Sequence, residues 1–207
     1  MRSPVSIINE DDSIILATKK MVSENIRGLP VVDSNEELVG IITKTDITRY
    51  FAENFTEKLT VKSMCQRENL PVIHEYHSIY RVINLLDELN TDRVIVLEGN
   101  KPIGIITETD LSFIAPSRKT ESFFKKRKNE LGEISYDRIY FIPLAEDIMT
   151  ENPIVVEEDT DASKAAKLLI DNNIGGMPVV NSKGELSGLI TKFDFVKVLA
   201  RGEEKLD

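Results

Sequence analysis

Gly40-Ile41-Ile42-Thr43-Lys44-Thr45-Asp46 occurs three times in this chain, with small changes. It returns as Gly104-Ile105-Ile106-Thr107-Glu108-Thr109-Asp110 and as Gly188-Leu189-Ile190-Thr191-Lys192-Phe193-Asp194. The shared pattern is Gly, two aliphatics, Thr, two variable residues, Asp. A second apolar run lies upstream of each glycine: Leu29-Pro30-Val31-Val32, Val94-Ile95-Val96-Leu97 and Met177-Pro178-Val179-Val180. Further upstream come a helical stretch and then a short segment with proline, Pro4-Val5, Pro71-Val72 and Pro153-Ile154. One heptad could match by chance; three with the same upstream context mark an internal repeat.

Each copy reads as strand, helix, strand, strand, helix. Pro153-Ile154-Val155-Val156 is short, β-branched and opened by Pro, as an edge strand is. Ala162, Ala165, Ala166, Leu168, Leu169 and Ile170 recur at helical spacing behind the cap candidates Asp159, Thr160 and Asp161. In the first copy Asp11, Asp12 and Ser13 precede Ile14, Ile15, Ala17, Met21 and Val22 in the same way. Asp33-Ser34-Asn35, Glu98-Gly99-Asn100 and Asn181-Ser182-Lys183-Gly184 separate the two apolar runs as hairpin loops. A second helix follows each Thr-x-x-Asp. The fold class is therefore α/β, with repeats at 1–57, 58–114 and 145–207. A unit of ~50 residues cannot bury its own sheet face and needs a neighbour, so the units should pack in pairs.

Residues 115–144 are unlike the repeats and hold Arg118, Lys119, Lys125, Lys126, Arg127 and Lys128 around Phe123 and Phe124. This insert reads as a solvated helix whose two Phe pack on the repeats, rather than as a phosphate-binding patch. The whole chain has 26 Lys+Arg against 35 Asp+Glu, a net charge of -9, so nothing draws it globally to nucleic acid. At 41% hydrophobic and 29% charged it can fill a core, and no run approaches the ~20 apolar residues of a membrane span. Met1-Arg2-Ser3-Pro4 lacks the apolar stretch of a secretory leader, and Cys65 is the one cysteine. Both point to a reducing, cytoplasmic setting.

Gly-h-h-Thr-x-x-Asp after h-Pro-Val-Val, where h is aliphatic, resembles the cystathionine β-synthase (CBS) domain. The resemblance covers nearly the whole chain except the insert. It implies units paired into Bateman modules, similar to those of archaeal stand-alone CBS proteins and of the gamma subunit of AMP-activated protein kinase. It also implies clefts that bind AMP, ADP, ATP or S-adenosylmethionine without catalysis and without a required cofactor. The first and third copies carry the full pattern; in the second, Arg93-Val94-Ile95-Val96 lacks the proline of Leu29-Pro30 and Met177-Pro178. Val61-Lys62-Ser63-Met64 resembles Ala145-Glu146-Asp147-Ile148-Met149 as a helical lead into its copy, and the first copy has no such lead.

The residues suit a nucleotide on their own chemistry. A carboxylate can accept two hydrogen bonds from a ribose diol, and a threonine hydroxyl with helix N-terminal amides can meet a phosphate. The resemblance places the ribose role on Asp46, Asp110 and Asp194 and the hydroxyl role on Thr43, Thr107 and Thr191. Aliphatic strand residues can sandwich adenine, and Pro153, Ile154 and Pro178 are the further ligand-binding candidates. Arg27, and Arg93 at a comparable place, are candidates for phosphate, while the third copy has Gly175-Gly176 there. A plainer reading makes Thr-x-x-Asp a helix cap and the two Arg surface ion-pair partners. His74 and His77, the only histidines, lack metal-ligand context and read as surface residues; Cys65 reads as a small packed side chain.

These readings predict a regulatory adenosine-nucleotide module, not an enzyme, that modulates a partner. The alternatives are the regulatory fragment of a larger enzyme or transporter, or a nucleic-acid binder acting through the insert. The second and third copies are expected to pair, with first-with-second as the alternative. The first copy then stands as an orphan whose natural neighbour lies upstream in a longer protein. Its helical face, with Ile14, Ile15, Met21 and Val22, should be covered by a second chain in a homodimer.

Overall fold

A computed structural model describes residues 5–112, 123–128, 134–139 and 142–202. In chain order its elements are β1 (Ile8–Asn9), α1 (Ile14–Glu24), β2 (Gly28–Val32), β3 (Leu38–Thr43), α2 (Lys44–Asn54), β4 (Val72–His74), α3 (Ile79–Leu89), β5 (Arg93–Glu98), β6 (Lys101–Thr107) and α4 (Glu108–Ser112). These are followed by β7 (Phe123–Lys128), β8 (Ile134–Ile139), β9 (Thr150–Glu151), β10 (Val156–Glu157), α5 (Ala162–Asp171), β11 (Gly176–Val180), β12 (Leu186–Thr191) and α6 (Lys192–Ala200). Single 3-10 turns at Val61–Ser63 and Ala145–Asp147 form the leads of the second and third copies.

Every copy builds the same sheet. Its first strand lies parallel to the second and the second antiparallel to the third, in the orders β1-β2-β3, β4-β5-β6-β9 and β10-β11-β12. Each hairpin shifts register at one place, between Val31 and Val32, Val96 and Leu97, or Val179 and Val180. The first helix of each copy ends at an asparagine with positive φ, Asn25, Asn90 or Asn173. Short polar Asn tolerates this left-handed turn, and the next residue's N–H closes on the helix: Ile26 on Met21, Thr91 on Leu86, Ile174 on Leu169.

The described chain divides into two compact units, one of Met1–Leu70 with Ile154–Asp207 and one of Pro71–Pro153. The first and third copies thus share a unit, and the expected pairing of second with third does not form. Helix α2 packs on α5 and α6, and α1 on α6. One continuous core holds Met21, Leu29, Ile47 and Phe51 from the first copy with Ala165, Leu169, Met177 and Phe195 from the third. The rings of Phe51 and Phe195, both fully buried, meet edge to face at 5.0 Å.

The physical reason for this choice lies in one helical position. Counted from their caps Ser13, Asp161 and Ser78, the three first helices place Thr18, Ala166 and Ile83 at the same step. Small Thr18 and Ala166 are fully buried and let a neighbouring helix approach, whereas bulky Ile83 is exposed. Residue proximity along the chain favours copies one and two or two and three. Complementary helix surfaces favour one and three, and loop closure penalises the longer connection only weakly.

The face of α1 expected to need a second chain is accordingly covered within the chain. Met21 is fully buried, Ile14 and Ile15 are half-buried, and only Val22 is exposed. In the second unit Ile73, Val82, Leu86, Val94, Val96 and Ile106 form a smaller core with Ala145 of the third copy's lead. The insert differs from expectation as well: β7 and β8 form an antiparallel hairpin with Phe123 opposite Ile139, not a helix. Ile134 and Tyr136 alternate with Ser135 and Asp137 as strand residues do, whereas Phe123–Lys128 has no alternation that marks it as a strand. The rest of residues 115–141, including Arg118 and Lys119, lies outside the described residues.

Candidate functional site

The Thr-x-x-Asp turn is the junction where the third strand of each copy becomes a helix. In all three copies the aspartate folds back on the threonine. Asp46 Oδ2 accepts from the Thr43 N–H at 2.9 Å and from its hydroxyl at 2.7 Å. Asp110 Oδ2 does the same with Thr107, both at 2.7 Å, and Asp194 Oδ2 with Thr191 at 2.8 and 2.7 Å. The capping role is therefore real, and it consumes one carboxylate oxygen and the threonine proton. The Thr oxygen keeps acceptor capacity, which suits a donor such as a hydroxyl or amino group better than a phosphate.

The other carboxylate oxygen faces a cation one turn on. Arg49 donates to Asp46 Oδ1 at 3.1 Å and Lys197 to Asp194 Oδ1 at 3.0 Å. Both junctions lie in the first unit, where their helices touch. Thr48 Oγ1, which donates to the Lys44 carbonyl at 2.7 Å, lies 3.3 Å from the Lys192 carbonyl, and Lys192 Nζ reaches Thr45 Oγ1 at 3.4 Å. Lys192 is buried there beside Asp194, so a carboxylate and cations are concentrated at the start of α6. The two aspartates are not equivalent in solvent: the side chain of Asp46 is 45% exposed and that of Asp194 only 7%. Burial pushes the Asp46 carboxyl up, but the Thr43 hydroxyl and amide and the Arg49 charge outweigh it and leave it below the ordinary aspartate range.

The remaining sequence candidates fall as follows. Arg27 is exposed, and its carbonyl accepts the Lys44 N–H at 3.0 Å, just as Asp92 receives Glu108 and Gly175 receives Lys192. Asp92, not Arg93, is therefore the counterpart of Arg27. Arg93 opposes Thr107 as Gly28 opposes Thr43 and Gly176 opposes Thr191, so it stands one residue further on. It is buried and paired to Asp92 at 2.7 Å. Pro178 is buried in β11 opposite Leu189. Ile154 is exposed in the approach to β10, and Pro153 is half-buried at the end of the second unit. Arg49, Lys197 and Lys192 were missed by sequence reasoning. The signal was a base three residues after the motif Asp in two copies, where the second copy has Phe113.

His74 and His77 are not surface residues but half-buried. The His74 N–H donates to His77 Nδ1 at 2.9 Å, and Tyr76 stacks on both rings. Burial pushes the Cys65 thiol up, Arg67 opposes this, and Asp194 adds to the rise, which makes it a poor nucleophile. Among the described residues no group of three His, Cys, Asp or Glu could hold a metal ion, and no helix is long and apolar enough to cross a membrane.

Comparison with known proteins gives the family. The sequence profile of the CBS domain matches residues 1–53, 61–115 and 145–201. The chain belongs to the CBS domain family. A curated relative, the uncharacterized protein MJ1404 of Methanocaldococcus jannaschii, is 29% identical over 93% of this chain, which spans 44% of that protein. The crystal structure of an uncharacterized conserved protein from Pyrococcus horikoshii superposes with a TM-score of 0.76 at 26% identity, covering 96% of this chain and 80% of that one. CBSX2 in complex with AMP superposes with a TM-score of 0.52 at 25% identity, covering 69% of this chain and 96% of that one. As in these proteins, the CBS fold here is a mixed α/β arrangement of small sheets and helices.

Proposed function

We propose that this CBS chain is a regulatory module that binds an adenosine-containing ligand and carries no catalysis of its own. The observation behind the reading is the twinned junction of the first unit. Thr43-Asp46-Arg49 and Thr191-Asp194-Lys197 repeat one arrangement at the starts of α2 and α6, where the two helices meet. Asp46 Oδ1 and Asp194 Oδ1 each accept one bond, from Arg49 or Lys197, and keep capacity for a second donor such as a ribose hydroxyl. Arg49 and Lys197, half-exposed and paired to these aspartates, are the cations nearest a bound phosphate, with Arg27 on the first copy as the sequence candidate. The AMP complex of CBSX2 supports an adenosine-containing ligand. Because copies one and three share a core, a ligand bridging their helices would bias their relative angle and pass that bias to a partner, acting in the cytoplasm. In the second copy, Thr107 and Asp110 form the same cap without a second junction among the described residues of their unit, so that copy is assigned a structural role.

The test is titration calorimetry of the full chain with AMP, ADP, ATP, NAD and S-adenosylmethionine. Expected is saturable binding of an adenosine ligand, weakened ~10–100-fold in Asp46→Asn or Asp194→Asn, as loss of a charge-assisted hydrogen bond implies. Asp110→Asn should leave the affinity unchanged. Binding that persists in the Asp46→Asn/Asp194→Asn double variant would reject the assignment, and salt-sensitive retention of RNA would favour nucleic acid.

A further inference from the structure

The motif glycine that opens each Thr-x-x-Asp strand end has a job that the nucleotide reading does not explain. In the third copy a Cβ at Gly188 would stand 2.8 Å from the Gln66 carbonyl oxygen and 2.9 Å from Cys65 Sγ. In the second copy a Cβ at Gly104 would strike Met149, at 2.9 Å from its Cβ. These glycines are seats for a lead segment that crosses the outer strand. The same backbone bonds hold both leads. Val61 N–H binds the Thr160 carbonyl and Lys62 N–H that of Glu158; Ala145 N–H binds that of His77 and Glu146 N–H that of Glu75. Each lead then pairs with the strand edge: Gln66 exchanges both bonds with Leu189 at 2.9 Å, and β9 pairs with β6.

The first copy has the seat and nothing described on it. A Cβ at Gly40 would meet no atom within 4 Å. Around it Leu38, Val39 and Ile41 of β3 are 72%, 53% and 67% exposed, whereas Leu189, the counterpart of Ile41, is 2% exposed. Ile41 opposes Pro30 as Leu189 opposes Pro178, so its backbone faces the open edge in the register that Gln66 reads on β12. An apolar, unpaired edge of this kind is a template for strand addition.

Charge selects among occupants. Glu158 in the third copy holds the basic lead, Lys62 at 3.3 Å and Arg67 at 2.8 Å. Its counterpart in the first copy is Glu10, whose N–H binds Val32 as that of Glu158 binds Val180. Among the described residues Glu10 makes no ion pair; Asp11 and Asp12 follow it in sequence, Glu36 and Glu37 lie in the β2-β3 loop, and all five are exposed. The acidic lead brings no such pairing: in the second copy Glu146 N–H bonds the Glu75 carbonyl, and among the described residues Glu75 Oε2 is buried without a hydrogen-bond partner, where Glu158 meets Lys62 and Arg67. We infer that the Gly40 edge of β3 is a docking site for a basic CBS lead segment of a partner protein, one with an apolar Cys- or Met-sized side chain to sit on Gly40 and a Lys or Arg to meet Glu10.

The probe is a labelled peptide copying residues 58–69 with Cys65→Met, titrated into the full chain by fluorescence anisotropy. Expected is one-site binding that Gly40→Val and Glu10→Lys each weaken at least tenfold, with the thermal midpoint of both variants unchanged. A peptide copying the acidic lead, residues 143–152, should bind at least tenfold more weakly. Binding unaffected by Gly40→Val would mean exchange with the chain's own lead on β12, and would overturn the proposal, as would no binding at millimolar peptide. A wild-type dimer that Gly40→Val converts to a monomer would overturn it in favour of edge pairing between two copies. None of these readouts involves nucleotide, so the proposal and the ligand assignment stand or fall separately.

Discussion

The first and third copies contribute alike to one core and one pair of junctions, yet their outer strands live in different surroundings. On β12 the residues 65–66 cross Gly188 and pair with Leu189, and Asp194 is buried; on β3 nothing described crosses Gly40, and Ile41 and Asp46 remain open. Two near-copies of one sequence thus differ because of a segment that belongs to neither. A motif glycine cannot be interpreted from the motif alone. Its meaning depends on what is laid across it.

The shared core is where the two copies should prove most nearly equal, and it carries the largest effect. Phe51→Ala and Phe195→Ala should each cost about 3–5 kcal/mol in urea unfolding, since both rings are fully buried. Their double variant should show a coupling of about 0.5–1.5 kcal/mol from the edge-to-face contact. Independent, additive effects would break the view that copies one and three form one cooperative unit.

The glycines should then separate the copies. Gly188→Val forces a side chain into the backbone of Gln66 and should cost about 1–3 kcal/mol as overpacking does. Gly40→Val enters open space on an exposed edge and should stay within about 0.5 kcal/mol. Equal losses for the two variants, measured by chemical denaturation, would abolish the contrast.

The smallest expected difference is in acid. The Asp46 carboxyl is held below the ordinary value, about 3.9, so its folded-state advantage is fully present above that value. It is lost as pH falls through the lower folded one. Asp46→Asn should therefore flatten the acid limb of the stability curve below about pH 4. A limb as steep as that of wild type would show that Asp46 does not keep its cap in solution.

Much of this was legible from particular residues. The strands, the hairpin loops and the caps Ser13 and Asp161 follow from local pattern, because each depends on backbone and side-chain chemistry within a few positions. Thr-x-x-Asp could be recognised as both cap and site candidate for the same reason. Arg93 stands one residue beyond the place that its charge suggests, because the register opposite Thr107 aligns it with Gly28 and Gly176. The basic run Phe123–Lys128 carries no period-2 pattern, so only its pairing with Ile134–Ile139 shows that it is a strand and not a helix.

The sequence by itself determined the repeat, the strand-helix-strand-strand-helix unit and the motif that places Thr and Asp at a helix start. Those features are encoded in local spacing, and every copy repeats them. Tertiary structure alone decided that copy one pairs with copy three and that the lead of each later copy lies across the other. It also decided that Asp194 is buried where Asp46 is open. These choices depend on which helix surfaces admit close approach, Thr18 and Ala166 against Ile83, and on long-range strand pairing. Such contacts are weighed by shape and burial between residues far apart in the chain, which no local pattern records.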